Sequence, residues 1–324
     1  MGLMISRSSV QPAGEASQAP ARPLARNPGP SWGYRFMRGC DLVLPEFLFK
    51  PMRALGTWVA LALMAEQRRH SRAYLAIVLG RRPRLRDVFR HFFAFEEVLM
   101  LKLRVANGRS HQGVLDRDAT DFHDWLAGGR PALLGTFHVG TSDLLGFLLG
   151  GRERRRVYLV RQRVANSHDV EKLAALFGDV VRFVWVNQPE EMLFALKEAA
   201  LRGDGAIALQ CDRLEFSSRA EAFDFLGTRR MFPFTIYHLA LIFEMPVLLS
   251  IGVPSSDPAI STLHSSSAFV PLPGESRAAT LVRARAHFQG FLATVEAVLR
   301  AQPYLWFNFL PLNPPAKADP SSPP

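Results

Sequence analysis

The stretch PALLGTFHVGTSDLLG, Pro131 to Gly146, sets an apolar run directly against His138 and places a carboxylate, Asp143, five residues later at the entry to a second apolar run. The first run, ALLGTF at 132 to 137, is short and uncharged, as in a strand buried on both faces. Four similar runs follow: RVYLV at 156 to 160, VVRFVWV at 180 to 186, AIALQ at 206 to 210 and PVLLSIGV at 246 to 253. The first four begin 24 to 26 residues apart, the length of a strand plus a crossover helix. The expected fold class is therefore α/β, with a mostly parallel central sheet flanked by helices. Asn187 and Glu190 resemble a capping box, with Pro189 in the first helical turn and Gly203 just past its end.

Upstream, from Leu42 to about Leu126, the apolar residues recur at helical spacing. Val88, Phe92, Phe95 and Val98/Leu99 share one face, and three or four helices are expected. Between Lys50/Arg53 and Arg68/Arg69/Arg72 lie the uncharged residues Ala54 to Ala65, a run short of the ~20 residues that span a bilayer. Its basic flanks and Trp58 fit a helix lying in an anionic membrane face; a core helix of a soluble domain is the alternative. Downstream, a long amphipathic helix at about Ser276 to Arg300 leads into the aromatic segment QPYLWFNFL.

Composition bounds the possibilities. A 324-residue chain that is 48% hydrophobic and 21% charged buries a large core. Residues 1–31 and 313–324, rich in Ala, Pro, Ser and Gly, are expected to be flexible ends around one domain at 32–312. That domain divides into a helical, membrane-associating part at 32–127 and an α/β catalytic core at 128–312. A net charge of +10 favours anionic partners, but no nucleic-acid recognition motif accompanies it, so nucleic acid is not expected. Cys40 and Cys211 stand alone, with no metal-ligand spacing, and no metal is expected.

Spacing alone does not make His138 and Asp143 a site. Nine His and 29 Asp+Glu in 324 residues give 9 × 29/324, about 0.8, such pairs by chance, and the chain has three: His91/Glu96, His111/Asp116 and His138/Asp143. The first is expected to be a solvated pair on a helix and the second to lie in a polar loop. Context distinguishes the third, because ligands bind at the C-terminal ends of strands in open parallel sheets. A turn at Gly140 would let Asp143 fold back onto the imidazole, fix its tautomer and leave the other ring nitrogen to take a proton. GTSDL, Gly140 to Leu144, misses the GxSxG nucleophile elbow, and there is no Walker loop or GxGxxG. With no evident Ser or Cys nucleophile, the economical chemistry is activation of a hydroxyl on the substrate.

These blocks, in this order, resemble the bacterial lipid A late acyltransferases, the lauroyl/myristoyl transferase family, within the wider HxxxxD glycerolipid acyltransferases. The resemblance runs from about Trp32 to Leu310. VYLVRQRVANSHDVEKLAALFG looks like the family's second block, with Arg161 and Asn166 in place. LRGDGAIALQCDRLEFSSRAEAFDFLGTRRMFPFTIYHLALIFEMPVLLS resembles its third, through Gly205, Asp212, Phe225 and Gly227, and AQPYLWFNF is similar to its closing segment. The resemblance implies a membrane-associated acyltransferase on the cytoplasmic face of the inner membrane. It would move an acyl group from acyl carrier protein, or coenzyme A, to a hydroxyl or amine of a membrane lipid acceptor, with no cofactor beyond that co-substrate. His138 would be the general base, Asp143 its orienting partner, Arg161 a stabiliser of the thioester or its oxyanion, Asp212 a support of the site and Asn166 a substrate contact. Six Arg between Arg152 and Arg163 would suit a phosphopantetheine arm, or form a solvated loop. The lipid A enzymes usually carry Glu at the acidic position and Asn after the Gly, where this chain has Asp143 and Thr141; RAYLAIV also lacks their Asn-Leu. The acceptor is therefore left open. A non-catalytic binding module and a lipid hydrolase remain alternatives on the same scaffold.

Overall fold

A computed structural model describes residues 31–117, 119–144, 156–161, 181–185, 189–203, 205–214, 217 and 219–315. Four helices come first: α1 (Ser31–Val43), α2 (Glu46–Leu63), α3 (Ala65–Leu79) and α4 (Leu85–Ala106). They are followed by β1 (Gln112–Leu115), α5 (Thr120–Gly128), β2 (Ala132–Gly140), a 3-10 turn (Ser142–Leu144), β3 (Arg156–Arg161) and β4 (Val181–Trp185). The remainder comprises α6 (Pro189–Arg202), β5 (Gly205–Gln210), β6 (Ala220–Phe225), β7 (Thr228–Pro233), α7 (Thr235–Phe243), β8 (Val247–Pro254), β9 (Ile260–Ser265) and α8 (Arg277–Ala301). The main sheet runs β1-β9-β8-β2-β5-β3-β4; every pairing is parallel except β8 with β9. All five apolar runs are strands, and the fold is the expected α/β class with a mostly parallel sheet.

The central strands are apolar throughout because both faces are covered. Leu133, Phe137, Ile207, Leu249 and Ile251 pack towards α3, α4, α7 and α8. The alternate set, Ala132, Leu134, Ala206, Ala208 and Leu248, packs towards Phe122 and Trp125 of α5. Glycine is required where strands meet the larger core: a Cβ on Gly135 would lie 2.3 Å from Leu249 Cδ2 and 2.9 Å from Cys211 Sγ.

Three elements depart from the sequence expectations. β1 lies within the region read as helical; four residues of half-exposed edge strand are too few to carry a period. β6 and β7 form an antiparallel hairpin whose two-residue turn, Leu226 and Gly227, has positive φ at both positions (52° and 75°). The C-terminal boundary drawn at 312 falls early, since Asn313 is buried and Met231 N–H donates to Pro314 O at 3.1 Å. Asn187 of the expected capping box lies outside the described residues, whereas Gly203 takes the αL conformation just past α6.

Helix α2 is turned inside out relative to a soluble amphipathic helix. Its buried stripe is Phe49, Arg53, Thr57 and Leu61, while Phe47, Leu48, Leu55, Trp58, Val59 and Leu63 face outward. Arg53 is only 3% exposed and is held by Glu96 Oε2 of α4 at 2.8 Å and Glu46 Oε1 at 2.5 Å. Among the described residues no single helix is long and apolar enough to cross a membrane; α2 and α3 meet the length and composition test only as a pair bent by 97°.

Candidate active site

The site is assembled by sheet register. Strands β2 and β5 pair in parallel, with Thr136 opposite Gln210 as the last paired position. Cys211 N–H extends the ladder to Thr136 O at 2.8 Å. Two residues beyond Thr136 is His138; two beyond Gln210 is Asp212. The strands therefore deliver both side chains side by side at the C-terminal edge of the sheet. Asp212 Oδ2 accepts from the His138 backbone N–H and Oδ1 from Nδ1, both at 2.8 Å.

Asp212 is fully buried and the His138 side chain is 11% exposed. Burial alone would raise the Asp212 pKa. The adjacent imidazole, its two hydrogen bonds and the nearby Arg213 charge more than offset this and hold the carboxyl below its usual range. An ionised carboxylate only accepts, so Nδ1 carries a proton towards Asp212, and Nε2 is the ring nitrogen that can present a lone pair. Nε2 has no hydrogen-bond partner among the described residues, which leaves it available as a base.

A second clasp fixes the His138 backbone. Beyond Thr136 the pairing of β2 with β8 shifts register. Here the terminal segment takes over: Phe307 N–H donates to His138 O at 2.7 Å and Gly140 N–H to Leu305 O at 2.8 Å. The carbonyl of the same 306–307 peptide unit, Trp306 O, lies 2.5 Å from His91 Nε2, and His91 Nδ1 lies 2.8 Å from Ser71 Oγ. Burial pushes the His91 pKa down to about 4, keeping the ring neutral, with Nε2 donating to Trp306 O and Nδ1 accepting from Ser71. Arg213 Nε, next to Asp212, donates to Asn308 Oδ1 at 3.2 Å.

Asp143 does not take the orienting role expected of it. The Nδ1 bond of His138 belongs to Asp212, and Asp143 Oδ2 lies 2.5 Å from Lys102 Nζ of α4. The turn at Gly140 is present, with φ of 50°, but it is pinned to β8: Thr141 N–H donates to Gly252 O and Ser142 Oγ accepts from Gly252 N–H. The buried Ser142 hydroxyl also donates to Val139 O, so it is a structural group and not a nucleophile. Burial likewise pushes the Cys211 thiol up, out of nucleophilic range.

Arg161 ends β3, at the same edge of the sheet. Its strand does not neighbour β2, because β5 lies between them. Two inter-strand spacings, about 10 Å, separate the backbones. Asn166 and the arginines at 152 to 155 and 163 lie outside the described residues.

No protein-family model matches the chain, and no curated protein matches it. Among solved structures, the crystal structure of the 1-acyl-sn-glycerophosphate (LPA) acyltransferase PlsC from Thermotoga maritima aligns with 78% of this chain and 97% of its own, at 14% identity and a TM-score of 0.34. Likeness at that level carries no weight for chemistry. The functional reading rests on the site's own geometry.

The other two His/acid spacings also resolve into unrelated contacts. His91 is buried as described, and Glu96 serves Arg53 rather than solvent. His111 Nε2 lies 2.9 Å from Ser261 Oγ, while Asp116 Oδ2 pairs with His264 at 2.6 Å. Asp212, which the resemblance implied only as a support of the site, is 74 residues from His138; its pairing with the imidazole shows in the matching offsets of ALLGTFH and AIALQCD, each six residues from the leading Ala to the polar group.

Proposed function

We propose that the protein is an acyltransferase working at a membrane surface. It moves an acyl group from a thioester donor, acyl carrier protein or coenzyme A, to a hydroxyl or amine of a lipid-type acceptor. The observation that carries this reading is the buried Asp212–His138 dyad with its open Nε2 and, among the described residues, no usable side-chain nucleophile beside it. Nε2 takes the acceptor's proton as the acceptor oxygen attacks the thioester carbonyl. The new C–O bond produces a tetrahedral oxyanion; its collapse breaks the C–S bond, and the proton on His138 leaves with the thiol. Asp212 holds the tautomer before attack and balances the imidazolium during it.

Arg161, at the end of β3, is our choice for the oxyanion, and Asn166 for a substrate contact; both are carried over from the sequence resemblance alone. The outward apolar face of α2, flanked by Lys50, Arg68, Arg69 and Arg72, supports seating on an anionic leaflet, which we take to be the cytoplasmic face of the inner membrane. The decisive experiment compares total lipid extracts of cells carrying wild-type protein and His138→Ala by mass spectrometry. A lipid species shifted by one acyl mass should appear only with the wild type. The same shift with folded His138→Ala would refute the assignment, and free fatty acid released without acceptor would favour a hydrolase.

A further inference from the structure

Away from the dyad, the hairpin buries a cation that no carboxylate among the described residues balances. Arg230 of β7 sits on the hairpin's inner face, in register with buried Phe223 and two residues from buried Phe232, and is 8% exposed. Its Nη1 donates to the backbone oxygen of Asn313 at 3.0 Å. Its Nε is buried without a hydrogen-bond partner, and so is the side-chain Nδ2 of Asn313, a residue 5% exposed. Among the described residues no acid lies within ion-pair distance of Arg230. The acids of the partner strand are turned elsewhere: Glu221 pairs with Arg285, and Asp224 stands exposed opposite Arg229. Burial lowers the Arg230 pKa.

The fold treats another buried guanidinium differently, giving Arg53 two carboxylates. A water molecule would satisfy an orphan N–H but not the charge. With Nη1 committed to the chain, the edge left over is Nε with Nη2, the pair of parallel N–H groups that grips a carboxylate or phosphate in bidentate fashion. Asn313 adds a third donor from the residue that Arg230 already touches.

We propose that Arg230 and Asn313 form an oxyanion-binding site, separate from the His138–Asp212 dyad, that takes a phosphate- or carboxylate-type group. The terminal segment joins the two places. Residues 305 to 307 clasp the end of β2, and residues 313 to 315 lie against β7, where Arg230 bridges to Pro315. An anion at Arg230 fastens the far end of the segment whose near end holds the His138 carbonyl.

The test needs no knowledge of the acyl acceptor. Thermal unfolding of the full chain is followed in sodium phosphate and, separately, sodium acetate, each against sodium chloride at equal ionic strength. A saturable rise in Tm is expected with phosphate, acetate or both, and the two arms tell the tetrahedral from the planar anion. Asn313→Ala, which keeps the backbone acceptor, should weaken binding about 10-fold, and Arg230→Gln about 100-fold or more. Arg230→Lys, which keeps the charge but loses the fork, should bind nearly as poorly and serves if the Gln variant does not fold. His138→Ala should show the full rise, so failure of the acyltransferase reading leaves this result untouched. Without added oxyanion, Arg230→Leu should be at least as stable as wild type, since it removes an uncompensated charge. No saturable rise with either salt, or an equal rise in Arg230→Gln, would overturn the proposal.

Discussion

Replacing Asp212 by Asn separates the chemistry of the dyad from its packing. Asp212 presents one oxygen to the His138 backbone N–H and the other to Nδ1–H. Asn has the same shape but only one oxygen. If that oxygen keeps the backbone N–H, the amide NH2 faces Nδ1 and can only donate, so the ring proton moves to Nε2 and the base is lost. If the amide flips, NH2 opposes the backbone N–H, donor against donor, at a cost of about 1–3 kcal/mol. The first arrangement wins, and the imidazole is trapped in the wrong tautomer. In the Ser-His-Asp hydrolases that inversion lowers turnover by about 10⁴, and here a loss of about 10³ to 10⁴ is expected, or about 4–5 kcal/mol of barrier.

Stability should respond in the opposite proportion. Asp212→Asn preserves the packing and removes a buried charge, so unfolding near neutral pH should change by no more than about 1 kcal/mol. Because the folded Asp212 pKa is depressed, its contribution is present above the unfolded carboxyl pKa and disappears as pH falls through the folded value; the variant should flatten that acid limb. Asp212→Ala, which strands both His138 donors, should cost about 3–5 kcal/mol. The assay is thiol release from an acyl thioester in the presence of lipid extract, with products identified by mass spectrometry and the fold followed by circular dichroism. Folded Asp212→Asn turning over within about threefold of wild type, or a larger loss in Asp143→Asn, would refute the dyad.

Three further outcomes follow from the same contacts. His91→Phe removes the donor to Trp306 O and the acceptor for Ser71, and should destabilise by about 2–5 kcal/mol, whereas His91→Gln, able to make both bonds, should lose far less. The folded His91 pKa of about 4 lies below the ordinary imidazole value of about 6.5, so between these values the unfolded chain binds the extra proton; denaturant titrations should show wild type losing about 3 kcal/mol more than His91→Gln as pH falls through that window. Glu96 runs the other way: burial raises its folded pKa to about 7 from 4.5, so its protonated form favours the fold and this support is lost as pH rises through 7. Glu96→Gln should therefore gain about 3 kcal/mol relative to wild type between pH 5 and pH 8. The double substitution Leu55→Glu/Val59→Glu, on exposed positions, should leave Tm unchanged yet weaken co-sedimentation with anionic vesicles by about 100-fold or more.

Much of the scaffold was legible in the chain because it depends on local pattern. The five apolar runs became the central strands, and Ser276 caps the last helix by accepting from Ala279 N–H. The spacing of helix-length intervals between runs implied parallel crossovers. Elements without a long enough pattern were missed: β1 has four residues, and the β6–β7 hairpin was hidden by two arginines inside an otherwise apolar strand pattern. One of those arginines, Arg230, is the residue now proposed to bind an anion.

His138 stood out as a candidate because it directly follows the apolar run Ala132 to Phe137, a fact of the sequence alone. Asp212 was named only as a support of the site; that it, and not Asp143, meets Nδ1 was not legible, because the sequence offers a carboxylate five residues away and says nothing about which strand lies next to β2. Strand order decided between them. The adjacency of β5 brings Asp212 to Nδ1, while α4 supplies Lys102 to occupy Asp143. The same order places β5 between His138 and Arg161, and the terminal segment, far away in sequence, holds the His138 carbonyl from the other side. Local periodicity fixes what each segment is; pairing across the sheet, a long-range choice made by the whole core, fixes which side chains meet.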